Sequence, residues 1–184
     1  MDPLHIVFVG AMGSGKTTIG KRVAAALDRP FVDNDEMLQR KVGMSAAAFS
    51  GRDGIDALHA AEAAVVLESL AAAAPDVVAA AASTIENADV RASLRSRAWV
   101  VWLRADAEVL AARFPSATRP FGDRDPLLLA AEQSDRRDSL FAEVADAAVE
   151  TGRSDVDAVV TEVVAAIPHR DRRPDANEKP TDFL

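Results

Sequence analysis

An α/β fold, with a parallel sheet covered on both faces by helices, is what the order of segments in this chain predicts. Three observations carry that expectation. Short apolar runs alternate with longer stretches whose apolar residues recur at helical spacing. The run Trp99-Val100-Val101-Trp102-Leu103 has no polar alternation, as a strand buried on both sides requires. A glycine-rich turn, Gly10 to Gly15, joins the first strand directly to the first helix.

Leu4 to Val9 reads as a short buried strand, and from Thr18 onward Ile19, Val23 and Leu27 mark the apolar face of a helix. Phe31-Val32 is the second strand, followed by a helix starting at Glu36. The spacing predicts one helix over Asp53 to Ala74, with Ile55, Leu58, Val65 and Val66 on one face. Val77 to Ala81, Trp99 to Leu103 and a weaker Ala147 to Glu150 supply the remaining strands. Helices are expected over Asp106 to Arg113, over Asp125 to Ala145 with Leu127, Leu128, Phe141 and Val144, and over Val156 to Ile167. Residues 1–167 therefore form one domain. Pro168 ends the last helix, and 168–184 mixes charge with Pro174 and Pro180, so it reads as a disordered tail.

Composition narrows the classes of function. The 184 residues are 49% hydrophobic and 27% charged, ordinary for a soluble globular domain. With no cysteine there is no disulfide, thiolate metal site or cysteine nucleophile. A net charge of −8 and the lack of a basic stripe argue against nucleic acid as a partner. The alanine-rich stretches are broken by Glu62, Glu68 and Pro75, so no run reaches membrane-spanning length. Met1-Asp2-Pro3 does not open a secretory signal. A cytoplasmic monomer without nucleic-acid or membrane partners is the expectation.

The turn from Gly10 to Thr17 fits G-x-x-x-x-G-K-[ST] between a strand and a helix, the context in which that pattern binds phosphate. Backbone N–H groups from Met12, Gly13, Ser14 and Gly15 through Thr18 point inward as an anion cradle at a helix N-terminus. Lys16 brings a full positive charge to the β- and γ-phosphates, and the Thr17 hydroxyl is placed for Mg²⁺. Directly after the second strand come Asp33 and Asp35. One carboxylate can serve the metal while the other orients an acceptor hydroxyl. Either also suits the N-cap of the next helix; with the phosphate loop upstream, the chemical reading is preferred. The third strand ends in alanines and Ser83 where motor-type nucleotidases need an acidic group, and no Asn-Lys-x-Asp sequence is present. Phosphoryl transfer to a small molecule is the class left.

The chain resembles the shikimate kinase family of P-loop enzymes. The likeness rests on G-A-M-G-S-G-K-T-T-I-G-K from Gly10, R-P-F-V-D-N-D-E-M from Arg29 and V-G-M-S from Val42. It continues through V-W-L-R-A-D-A-E-V-L from Val101, Arg119-Pro120 and L-F-A-E-V-A-D from Leu140. The resemblance implies a three-layer fold with a five-stranded parallel sheet and a mobile lid over about 114–125. It further implies ATP with Mg²⁺ and a small hydroxylated acceptor, either shikimate or a related cyclitol or sugar-like compound. On the same basis Asp35 binds the acceptor, Asp33 stands on the metal side, and Arg119 is the lid arginine closing over the phosphates. Arg137 grips the acceptor's carboxylate, and Arg113 and Arg153 flank adenine. Departures gather on the acceptor side. Leu58-His59 replaces the family's Phe-Arg, and Ala81-Ala82-Ser83 replaces its glycine triplet. Histidine cannot reproduce arginine's two parallel N–H bonds to a carboxylate, so the acceptor pocket is expected to be reshaped. The alternative is an ATP-binding protein of the same fold, impaired in catalysis, that acts as a regulator or slow ATPase. A nucleotide kinase fits less well, since only Arg40 and Arg52 lie between Asp35 and Arg91.

Overall fold

The computed structural model describes residues 4–113, 124–152, 155–168 and 181–183. Among these, strands β1 (His5–Val9), β2 (Phe31–Asp33), β3 (Val77–Ala79), β4 (Ala98–Arg104) and β5 (Ala147–Glu150) form one parallel sheet. The helices are α1 (Lys16–Ala26), α2 (Asn34–Val42), α3 (Ala46–Asp53), α4 (Ile55–Ala71), α5 (Ala88–Arg97), α6 (Ala107–Arg113), α7 (Pro126–Val144) and α8 (Val156–Ala166). The sheet order is β2-β3-β1-β4-β5, and a short strand β6 (Thr181–Phe183) extends it beyond β5.

Alternate residues of β1 explain the unsplit apolar run. Val7 and Val9 join Val66, Leu70, Leu94 and Phe141 on one side of the sheet. Ile6 and Phe8 join Ile19, Val23, Val159 and Val163 on the other. Each face of the sheet is thus sealed by helices, and neither can carry polar side chains at low cost. The three-layer expectation holds, with five of the strands as anticipated.

Three local readings change. The helix expected over Asp53 to Ala74 is α4, Ile55–Ala71, and an unanticipated helix, α3, precedes it across Gly54 at φ +93°. Ile55 consequently opens α4 at 37% exposure and does not join its buried face. Leu127 and Leu128, expected on the apolar face of α7, are exposed at its first turn, while Leu129 and Ala130 turn inward. Part of the segment read as a disordered tail is β6, whose backbone pairs Thr181 with Ala147 and Phe183 with Val149. Without it, the edge of β5 would leave a row of peptide groups unpaired. Residues 169–180 and 184, and 114–123 of the expected lid, lie outside the described residues.

Candidate active site

Parallel sheets place the loops after their strands along one edge, where ligands bind. Because β3 lies between β1 and β2, the loops following all three meet there. Together with α4, α7 and the start of α8 they enclose a cavity of about 910 Å³, large enough for a nucleotide and a small second substrate.

The turn after β1 is shaped by backbone requirements. Gly10 has φ +138°, and any Cβ there would collide with the carbonyl oxygen of Leu103 on β4. Gly10 packs against β4 behind the loop and is not among the residues lining the cavity. Gly15 caps α1 in a left-handed conformation, φ +95°, that other residues adopt only under strain. Met12, Gly13, Ser14, Gly15, Lys16, Thr17 and Thr18 all line the cavity. The Ser14 hydroxyl is fully buried and has no partner among the described residues. Thr151 braces the loop from β5, its hydroxyl donating to the Ser14 carbonyl at 3.0 Å.

Lys16 Nζ donates to the carbonyls of Gly10 at 2.9 Å and Ala11 at 2.7 Å. Burial lowers its pKa to about 8, against the opposing pull of Asp35 and Asp33, so it carries its charge at neutral pH. Asp33 takes the cap role and also holds Thr17. Its Oδ1 accepts the backbone N–H groups of Asp35 and Glu36 and caps α2, while Oδ2 accepts the Thr17 hydroxyl at 2.7 Å. Asp35 lines the cavity in the next turn, and its carboxyl is pushed up by burial and by Asp33, with Lys16 pulling the other way.

His59, Ala81, Ala82, Ser83 and Arg137 line the same cavity. Burial and the neighbouring Arg137 lower the His59 pKa. Arg137, 5% exposed, donates from Nε to Glu86 at 2.6 Å and from Nη1 to Gln133 at 3.2 Å. Arg113 donates to the Thr151 carbonyl at 2.9 Å and lies against Gly13, beside the loop. Arg119 and Arg153 lie outside the described residues.

Two buried polar groups lining this cavity were not anticipated. Glu62 accepts the Ser83 hydroxyl and is pushed up to about 7, mainly by burial. Gln133 holds Arg137. Both were legible as polar residues on apolar stripes. Glu62 falls four residues after Leu58 and four before Val66, and Gln133 sits in the series Leu129, Gln133, Arg137, Phe141, all buried.

The shikimate kinase family model matches residues 12–168. The chain belongs to the shikimate kinase family. Within the family, the shikimate kinase of Symbiobacterium thermophilum is 32% identical over 92% of this chain and 99% of its own length. That of Burkholderia thailandensis is 34% identical over 89% and 90%. The structure of shikimate kinase from Acinetobacter baumannii in complex with shikimate superposes with TM-score 0.85 at 28% identity, covering 90% of this chain and 93% of that one. Membership makes the chain an ATP-dependent phosphotransferase with an alcohol group of a small molecule as acceptor. No helix among the described residues is long and apolar enough to cross a membrane.

Proposed function

We propose that this protein transfers the γ-phosphoryl group of ATP to a hydroxyl of a small polyhydroxylated ring of the shikimate type. One observation carries the reading: Lys16 and Asp35, close enough for each to shift the other's pKa, both line one cavity where the phosphate loop meets the acceptor side. The donor set fits the nucleotide and its metal. A left-handed glycine leads into α1, a buried hydroxyl at Ser14 lacks a protein partner, and the Thr17–Asp33 pair offers oxygen ligands of the kind Mg²⁺ prefers. When bound, Mg²⁺ neutralises phosphate charge. Asp35 accepts the acceptor's hydroxyl proton as its oxygen bonds to the γ-phosphorus and the bond to the ADP oxygen breaks. A raised carboxyl pKa suits that proton transfer. Lys16 balances charge on the transferred group. We assign Arg119 to closing over the phosphates, Arg113 and Arg153 to flanking the base, and His59, Ala81, Ala82, Ser83 and Arg137 to the acceptor. The protein works as a cytoplasmic monomer on this reading.

The test is ADP release against a panel of shikimate, quinate, cyclitols, sugars and nucleoside monophosphates. A hydroxylated ring compound should raise it, and Asp35→Asn should lower kcat by roughly a hundredfold or more while ATP affinity stays nearly constant. A flat response with tight ATP binding would replace transfer by the regulatory, nucleotide-binding alternative.

A further inference from the structure

The charges around the acceptor half of the cavity do not balance in favour of an anion. Arg137 is the one cation that the described residues place there, apart from Lys16 and Arg113 at the phosphate loop. Arginine holds a carboxylate best through two parallel N–H donors. At Arg137 the Nε donor of the side-on pair is already engaged by Oε1 of Glu86 at 2.6 Å, and Nη1 by Gln133 at 3.2 Å. The other oxygen of Glu86 is held by Arg136 Nη2 at 2.6 Å, which keeps the carboxylate in place. Glu86 closes the 3₁₀ turn Ala82–Glu86 that follows β3, and it reaches Arg137 without itself lining the cavity. Glu62 feels the charges of both Arg137 and Asp35, and all three line the cavity. A carboxylate entering here would be desolvated beside two acids, and its cation is already neutralised by the chain. A ring of hydroxyls has no such penalty, because its O–H groups donate to Asp35 and Glu62 and its oxygens accept from Arg137 or His59.

We propose that Glu86 occupies Arg137 as an in-chain carboxylate, so that this site selects an uncharged polyhydroxy acceptor over a carboxylic acid. The inference rests on the phosphoryl-transfer reading above and names the substrate class within it. His59, whose lowered pKa keeps it neutral near pH 7, adds no charge that would restore an anion site.

A matched pair of acceptors tests it: shikimate and its primary amide, which share ring, hydroxyls and shape and differ in charge. The natural chain should use the amide at least as well as shikimate. Glu86→Gln, which removes the competing carboxylate, should shift the ratio of kcat/KM toward shikimate by on the order of tenfold. The shift should lie in KM, since Glu86 is remote from the reacting hydroxyl. Calorimetry of both compounds with the ADP-bound protein should give the same shift without turnover. Arg136→Gln, at a largely exposed side chain, takes the second cation from Glu86 and should move the ratio the other way, away from shikimate, and it serves if the first variant fails to fold. A natural chain that prefers shikimate tenfold or more, with a ratio that neither variant moves, overturns the inference and leaves phosphoryl transfer standing. If neither compound nor any uncharged cyclitol binds or stimulates ADP release, the transfer reading fails and the inference falls with it.

Discussion

Asp33 shows how one short side chain can tie two elements together. Its two oxygens point different ways, one to the first N–H groups of α2 and the other to Thr17 on α1. The cap was one use the sequence offered for an aspartate at this strand end; the bond to Thr17, sixteen residues away, appears only in the structure. Glu62 is the opposite case, a residue whose importance depends on burial. It is 7% exposed, and burial pushes its pKa from 4.5 up to about 7, with Ser83 opposing and Asp35 reinforcing the shift. Because the folded state holds this proton more tightly than the unfolded chain, its contribution is full below pH 4.5 and is lost as pH rises to about 7. That loss is roughly 3 kcal/mol. Glu62→Gln should therefore gain stability over the natural chain by up to about that amount between pH 4.5 and 8, as urea unfolding at both pH values would show. A constant difference would mean that Glu62 is ionised throughout.

Between elements, the spacing of α1 and β2 sets the site, since Lys16 and Thr17 ride on one and Asp33 ends the other. Gly20 controls that spacing. A Cβ there would lie 2.6 Å from Cε2 of Phe31 and 3.4 Å from Phe8. Gly20→Ala gains about 1 kcal/mol of helix propensity, but overpacking costs about 1–3 kcal/mol. The expected outcome is a net loss on the order of 1 kcal/mol with a raised KM for ATP. A urea midpoint at or above that of the natural chain would mean the Phe31 ring swings aside. The need for glycine here was invisible in the sequence, because a helix interior normally disfavours it. The phosphate turn was visible because its pattern, strand and helix are contiguous. Helix α3 was not anticipated, because none of its residues is fully buried and it therefore shows no apolar stripe.

At the scale of the molecule, both core faces and every described residue lining the cavity come from before position 168. Strand β6 adds three paired residues at the far edge, next to β5 and away from β1 to β3. A chain ended after Pro168 should therefore fold and keep its kinetic constants. It should melt a few degrees lower, since a few backbone hydrogen bonds contribute about 1 kcal/mol each. Thermal melts and ADP-release assays on the two chains check this. Loss of activity in the shorter chain would make the C-terminal segment part of the working enzyme.

The linear order of residues determined the α/β class, the phosphate loop, the paired aspartates and the family, because each depends on neighbours close in the chain. Tertiary structure alone decided that Glu86, Gln133 and Glu62 surround the acceptor wall and that Arg137 is already partnered. Those contacts join β3's loop to α4 and α7, separated by tens of residues, and charge compensation depends on distance in space rather than on spacing along the chain.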